Sequence, residues 1–149
     1  MSKRLFDAFI ILAFGMLGAA SPAAAAEVQI KMLNQGPGGM MVFEPAFVRI
    51  KPGDSVKFIA ADKGHNAVSL PGMLPPGTAG FSGAINQEIE LKLTKPGLYA
   101  YHCVPHTGLG MVGLIEVGNA SNKSSLAAAA EKLPGLAKKR MAELLGQAK

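Results

Sequence analysis

The chain has 149 residues, with 15 Lys and Arg against 10 Asp and Glu, a formal net charge of +5 and a single cysteine. That length favours one domain with its own core. One cysteine excludes an internal disulfide, and the mild basicity lacks the dense Lys/Arg run with interleaved aromatics expected of a nucleic-acid binder; it suits acidic protein partners better.

Residues 1–25 read as a cleaved signal peptide. Lys3 and Arg4 precede an apolar run from Phe9 to Ala20, and Ala23 and Ala25 form an A-x-A site, with the cut expected after Ala25. The run falls short of the roughly 20 apolar residues of a bilayer span, and no cysteine follows it to take a lipid. Export puts the rest of the chain in an oxidising compartment. Cys103 is then either buried and inert or committed to a task.

Residues 26–118 carry short strands. "EVQIKML" sets Val28, Ile30 and Met32 on one face and Glu27, Gln29 and Lys31 on the other, the period of a half-buried strand. "NQGPGG" breaks it with turn residues. Strands are expected next around Phe47–Ile50 and Ser55–Ala60, joined by the turn Lys51-Pro52-Gly53-Asp54. Another begins near Asn66, and "LPGMLPPGTAGFSGAIN" follows as a long loop without charge. "QEIELKLT" alternates again, and "LYAYHC" and "MVGLIEVG" are the last strands. Seven to eight short strands between Pro/Gly turns make a mainly β fold, a sandwich or barrel. Residues 119–149 change character. Ala137, Met141, Leu144, Leu145 and Ala148 recur at helical spacing, and Pro134 separates two helices, at the start of the second. Their apolar stripe is expected to pack on the sandwich as a C-terminal extension.

The chemistry concentrates in "CVPHTGLGMVG". Cys103 ends a strand, His106 follows three residues later and Met111 five after that, all on one loop. If Cys103 points inward, alternation sends Tyr99 and Tyr101 inward too, and Ala100 and His102 outward. His65 can add a further ligand from another strand end. One thiolate, two imidazoles and a thioether form the donor set of blue-copper electron-transfer sites: the sulfurs favour Cu(I) and imidazole also serves Cu(II). With all four positions filled, no site is left open for a substrate, which argues against an enzyme. A structural zinc site would want a second cysteine or a third histidine. A copper carrier or chaperone, the alternative function, would favour exposed clusters of Met or Cys.

These residues resemble the cupredoxins, most closely the pseudoazurins of bacterial periplasms. "MVFEPAFVRIKPGDSVKF", "DKGHNAVSLPGM" and the spacings in "CVPHTGLGMVG" carry the likeness, together with the two helices after Gly118. The resemblance implies a Greek-key sandwich and one copper ion per chain, held by His65, Cys103 and His106 with Met111 as the weak axial ligand. It implies that the Asn66 backbone N–H donates to the Cys103 sulfur while its side chain locks two loops together. It places Met41 near the outer edge of His106 and has Pro105 shape the ligand loop. The implied role is a monomeric shuttle of single electrons between redox proteins, with a copper nitrite reductase or a c-type cytochrome as partner and no insertion in the membrane. Relatives usually ring the exposed histidine with lysines. Here Lys63 remains, and His102 stands where a lysine is common. An apolar patch of Met41, Pro105 and Leu109 around His106 is expected to carry the docking, and an exposed His102 would strengthen it below about pH 6.5.

Overall fold

The computed structural model describes residues 24–149; the expected leader, up to residue 23, lies outside them. Among the described residues, eight strands form two four-stranded sheets. They are β1 (Glu27–Gly36), β2 (Gly39–Glu44), β3 (Phe47–Ile50), β4 (Ser55–Ile59), β5 (Val68–Ser69), β6 (Ile89–Lys92), β7 (Gly97–His102) and β8 (Val112–Val117). A 3₁₀ helix, Val104–Leu109, joins β7 to β8, and two helices follow, α1 (Lys123–Ala130) and α2 (Gly135–Gln147).

One sheet has the order β2-β1-β4-β6 and the other β3-β8-β7-β5. Each contains one parallel pair, β1 with β4 and β3 with β8, and the remaining neighbours are antiparallel. The alternation read in β1 is realised: Ile30 and Met32 are buried and Gln29 and Lys31 exposed. β1 runs further than its alternating part, through Asn34 to Gly36, and pairs with β2, a strand hidden in the run after the Gly-rich turn. β5 is only two residues long.

The inner faces of both sheets meet in one core that holds Ile30, Met32, Phe43, Val56, Phe58, Tyr99, Tyr101 and Ile115. The Tyr101 ring stands edge-on to Phe43 and Phe58, with centroids 4.8 and 4.9 Å away, the geometry that ring quadrupoles favour. Gly113 faces Tyr101 in the β7–β8 register. A Cβ on Gly113 would lie 2.2 Å from the Tyr101 ring, so only glycine fits there.

The other face of the second sheet does not meet water. Leu98, Ala100, Val112 and Leu114 pack against Leu126 and Ala130 of α1 and against Ala137, Met141, Leu144 and Leu145 of α2. Both faces of β8 are therefore covered and all six of its residues are buried, which is why "VGLIEV" reads as an almost continuous apolar run rather than an alternating one. Ala100 points away from the sandwich core, as alternation requires, but into the helices. Glu116, the charge in β8, is buried and paired to Arg49 at 2.9 Å. The same Arg49 donates to the carbonyl of Gln147 at 3.0 Å, which fastens the end of α2 to the sheet. Pro134 occupies the N-cap of α2, one residue before the first helical turn. No helix among the described residues is long and apolar enough to cross a membrane.

Candidate metal centre

β7 ends at one pole of the sandwich and delivers Cys103 there. The loop beyond it is closed by its own backbone. The Cys103 N–H donates to the Met111 carbonyl at 3.0 Å, the His106 N–H to the Cys103 carbonyl at 3.1 Å, and the Met111 N–H to the His106 carbonyl at 3.2 Å. Pro105 sits in the first turn of the 3₁₀ helix, where its missing N–H leaves nothing unpaired. Gly110 ends the turn in the left-handed region at φ 83°, a conformation glycine adopts without steric cost. Cys103, His106 and Met111 are thus held by one short, internally bonded segment.

His65 comes from the loop between β4 and β5. Its Nδ1 lies 3.1 Å from His106 Nδ1 and 3.7 Å from Cys103 Sγ, and His106 Nδ1 lies 3.4 Å from Cys103 Sγ. A triangle with these edges has a centre about 2 Å from each corner, the length of a first-row metal bond to imidazole nitrogen or thiolate sulfur. Among the described residues this is the one group of three or more His, Cys, Asp or Glu side chains able to hold a metal ion. One soft sulfur and two imidazoles fit copper by donor chemistry. Met111 is fully buried in the same core cluster as Cys103, so a thioether is available on the same loop. No second thiolate joins the group, which leaves the zinc reading without its ligands.

Burial differs among the donors. His65, Cys103 and Met111 are fully buried, whereas His106 is half-exposed. Burial pushes the Cys103 thiol pKa up, and the backbone N–H groups of Asn66 and His106 pull it down. A bare thiolate is thus disfavoured by desolvation and assisted by two local donors. Burial, then the neighbouring His106, lowers the pKa of His65, against a raising contribution from Asp62. His65 is therefore biased towards the neutral, ligating form.

The supporting residues tie three segments together. The Asn66 side chain accepts the Val104 N–H at 2.9 Å and donates to the Gly83 carbonyl at 3.1 Å, which joins the His65 loop to the ligand loop and to the long Pro/Gly-rich loop. His65 Nε2 lies 2.9 Å from Asn34 Oδ1. An amide oxygen only accepts, so Nε2 carries the proton and Nδ1 presents its lone pair to the centre. Asn34 is held in turn by its own N–H, which donates to Asp62 Oδ2 at 2.7 Å. Sequence reasoning missed Asn34. It sits where the alternating part of β1 gives way to turn residues, 31 positions from His65, and no local signal marks it. Replacing Asn34 with Ala is expected to weaken metal affinity about tenfold, the scale on which partners of ligating histidines act. A chelator-competition titration measures this, and an unchanged affinity would mean that the tautomer is fixed without Asn34.

One expectation changes. His102 does not stand exposed beside the centre: it is half-buried, its Nδ1 is 2.7 Å from Thr107 Oγ1, and burial lowers its pKa. The charge switch expected near pH 6.5 moves to more acidic pH. Of the residues expected in the apolar patch, Pro105 and Leu109 are exposed and Met41 is part-exposed, as His106 is. Val104, on the same 3₁₀ helix as His106, adds to that patch.

Several known proteins are similar to this chain over most of its length. The family model described as copper binding proteins, plastocyanin/azurin family, matches residues 30–118. A pseudoazurin from Paracoccus pantotrophus is 45% identical over 135 residues, which is 91% of this chain and 92% of that protein. The crystal structure of a pseudoazurin from Methylobacterium extorquens AM1 superposes with a TM-score of 0.77 at 45% identity, covering 81% of this chain and 98% of the other. A pseudoazurin from Hyphomicrobium denitrificans gives a TM-score of 0.76 at 38% identity, over 83% and 99% of the two chains. The chain belongs to the plastocyanin/azurin family of copper-binding proteins, and within it to the pseudoazurins.

Proposed function

We propose that this chain is a periplasmic carrier of single electrons that holds one copper ion on His65, Cys103, His106 and Met111. Membership of the family makes it a blue-copper electron carrier rather than an enzyme. The observation behind the ligand assignment is the convergence of two Nδ1 atoms and one Sγ within 3.1–3.7 Å, at a pole where His106 alone of these donors reaches the surface. When bound, copper supplies one-electron exchange between Cu(I) and Cu(II), the sulfurs favouring the first state and imidazole also serving the second.

The chain's own residues set the conditions. Asn34 and Asn66 orient His65 and the loop, and the bonded 3₁₀ turn resists rearrangement, so these residues would hold the donors in place as an electron came or went. The buried Cys103 and Met111 exclude water. The His106 edge, ringed by Val104, Pro105 and Leu109, is the face through which a partner would exchange the electron. A copper nitrite reductase or a c-type cytochrome is the partner class, and docking there relies on apolar contact more than on charge, since residues 70–86 carry none. The same burial disfavours the copper-chaperone alternative, which needs exchangeable donors. The leader pattern supports export.

Met111→Gln tests whether Met111 would be one of the copper's ligands. The variant is expected to retain copper and to show a lower reduction potential by protein-film voltammetry, because an amide oxygen replaces a soft thioether that favours Cu(I). An unchanged potential would remove Met111 from the ligand set.

A further inference from the structure

Arg140 lies midway along α2, a helix whose sequence pattern speaks only of packing. Its guanidinium does not pair with a carboxylate: the salt bridges among the described residues are Arg49–Glu116, Lys57–Glu88 and Lys138–Glu131. It binds backbone instead. Nη1 donates to the Gly110 carbonyl at 2.9 Å and lies 3.2 Å from the Met41 carbonyl. Longer contacts run to Met40 from both nitrogens, at 3.4 Å, and from Nη2 to Gly38 at 3.5 Å. The planar fork of arginine suits this, because it spreads fixed donors over two separate segments at once.

The two segments are the ligand loop and β2. Gly110 is in the left-handed region, and so is Met41, at φ 50°, although it carries a side chain. Non-glycine residues rarely adopt that conformation unless their surroundings hold them in it. α2 is also seated directly on the turn. A Cβ on Gly110 would lie 2.7 Å from Leu136 Cγ and 3.0 Å from Arg140 Cδ. Gly110 is bonded to Met111, whose carbonyl receives the Cys103 N–H. The chain of contacts therefore runs from α2 through one guanidinium to the two residues that bring sulfur to the site.

We propose that Arg140 is a positioning residue for the metal centre: its guanidinium clamps Gly110 to β2 and α2 and so fixes where Met111 stands. This rests on the ligand reading given above. The C-terminal helix is then a working part of the site rather than a cover on the sheet.

Arg140→Gln and Arg140→Lys test it. Glutamine removes both charge and fork; lysine keeps the charge and the aliphatic stem but loses the fork. In the metal-free protein, amide hydrogen exchange at Gly110 and Met111 is expected to rise about tenfold in both variants, the effect of losing a charge-assisted hydrogen bond. Ile115 and Val117 of β8 should exchange as before, which shows that the fold is kept. In the copper-loaded protein both variants should shift the reduction potential. Equal acceleration at all four amides would reduce Arg140 to general stability and overturn the proposal. So would unchanged exchange with a potential shift in the glutamine variant alone, which would leave only a charge effect. The exchange experiment uses no metal, so its failure stays distinct from a failure of the copper-ligand reading.

Discussion

Cys103→Ser is expected to abolish the intense visible colour of the copper-loaded protein and to weaken Cu(I) binding by more than the about 100-fold that loss of a supporting residue costs. The colour requires a thiolate bonded to Cu(II), and the chain has no other cysteine to supply one. Serine offers a hard oxygen in place of a soft sulfur, so Cu(I) loses most. The fold should survive, because the loop is closed by the backbone of Cys103 and not by its side chain. Absorption spectra and Cu(I) competition titrations measure the two effects. A variant that kept the colour would end the assignment of Cys103 as ligand.

Gly113→Ala should be the most damaging single methyl in the sandwich. The added Cβ would stand 2.2 Å from the Tyr101 ring, and real Cβ atoms do not approach so closely. Tyr101 cannot step aside, since Phe43 and Phe58 pack on it edge-on. The expected cost is about 3 kcal/mol, the upper end for overpacking a dense core, or a fall of about 10 °C in Tm. Tyr101 precedes Cys103, the residue just beyond β7, by two positions and faces the same core, so a backbone shift that relieves the clash moves the sulfur as well. Thermal unfolding and the visible spectrum of the same sample should change together. A variant with native stability would mean that Tyr101 has room that the packing does not show.

How much of this was legible beforehand depended on where each signal lies along the chain. β1 and β6 announced themselves because one face of each is wetter than the other and the residues alternate. β2 did not: Met40, Met41, Val42 and Phe43 are successive apolar residues between a glycine-rich turn and Pro45, with no period to read. β8 is sandwiched between core and helices, so its pattern gave a strand but not the fact that its outer face is covered. The stripe on α2 was legible as a packing face, and Ala137, Met141, Leu144 and Leu145 are buried against the sheet.

The candidate site follows the same rule. Cys103, His106 and Met111 lie within nine positions, and their donor chemistry is specific enough to draw in His65 from afar. The residues that orient them are dispersed. Asn34 meets His65 across 31 positions, and Arg140 meets Gly110 across 30 and Met41 across 99. An asparagine near a turn and an arginine on an amphipathic helix have ordinary local explanations, so only the tertiary fold shows their second task. His102 misled for a related reason. Alternation placed it correctly on the face away from Cys103, but could not foresee that Thr107 of the neighbouring turn would fold back against its ring.

Electron transfer by this chain requires Cys103, His65 and His106 to close on one redox-active copper. The direct measurement is the visible absorption spectrum of the copper-loaded protein from Ala26 onward, taken oxidised, then reduced, then reoxidised. An intense thiolate-to-copper band that bleaches on reduction and returns without loss of metal is the predicted result. A protein that binds copper yet stays colourless as Cu(II), or sheds the metal on cycling, would contradict it.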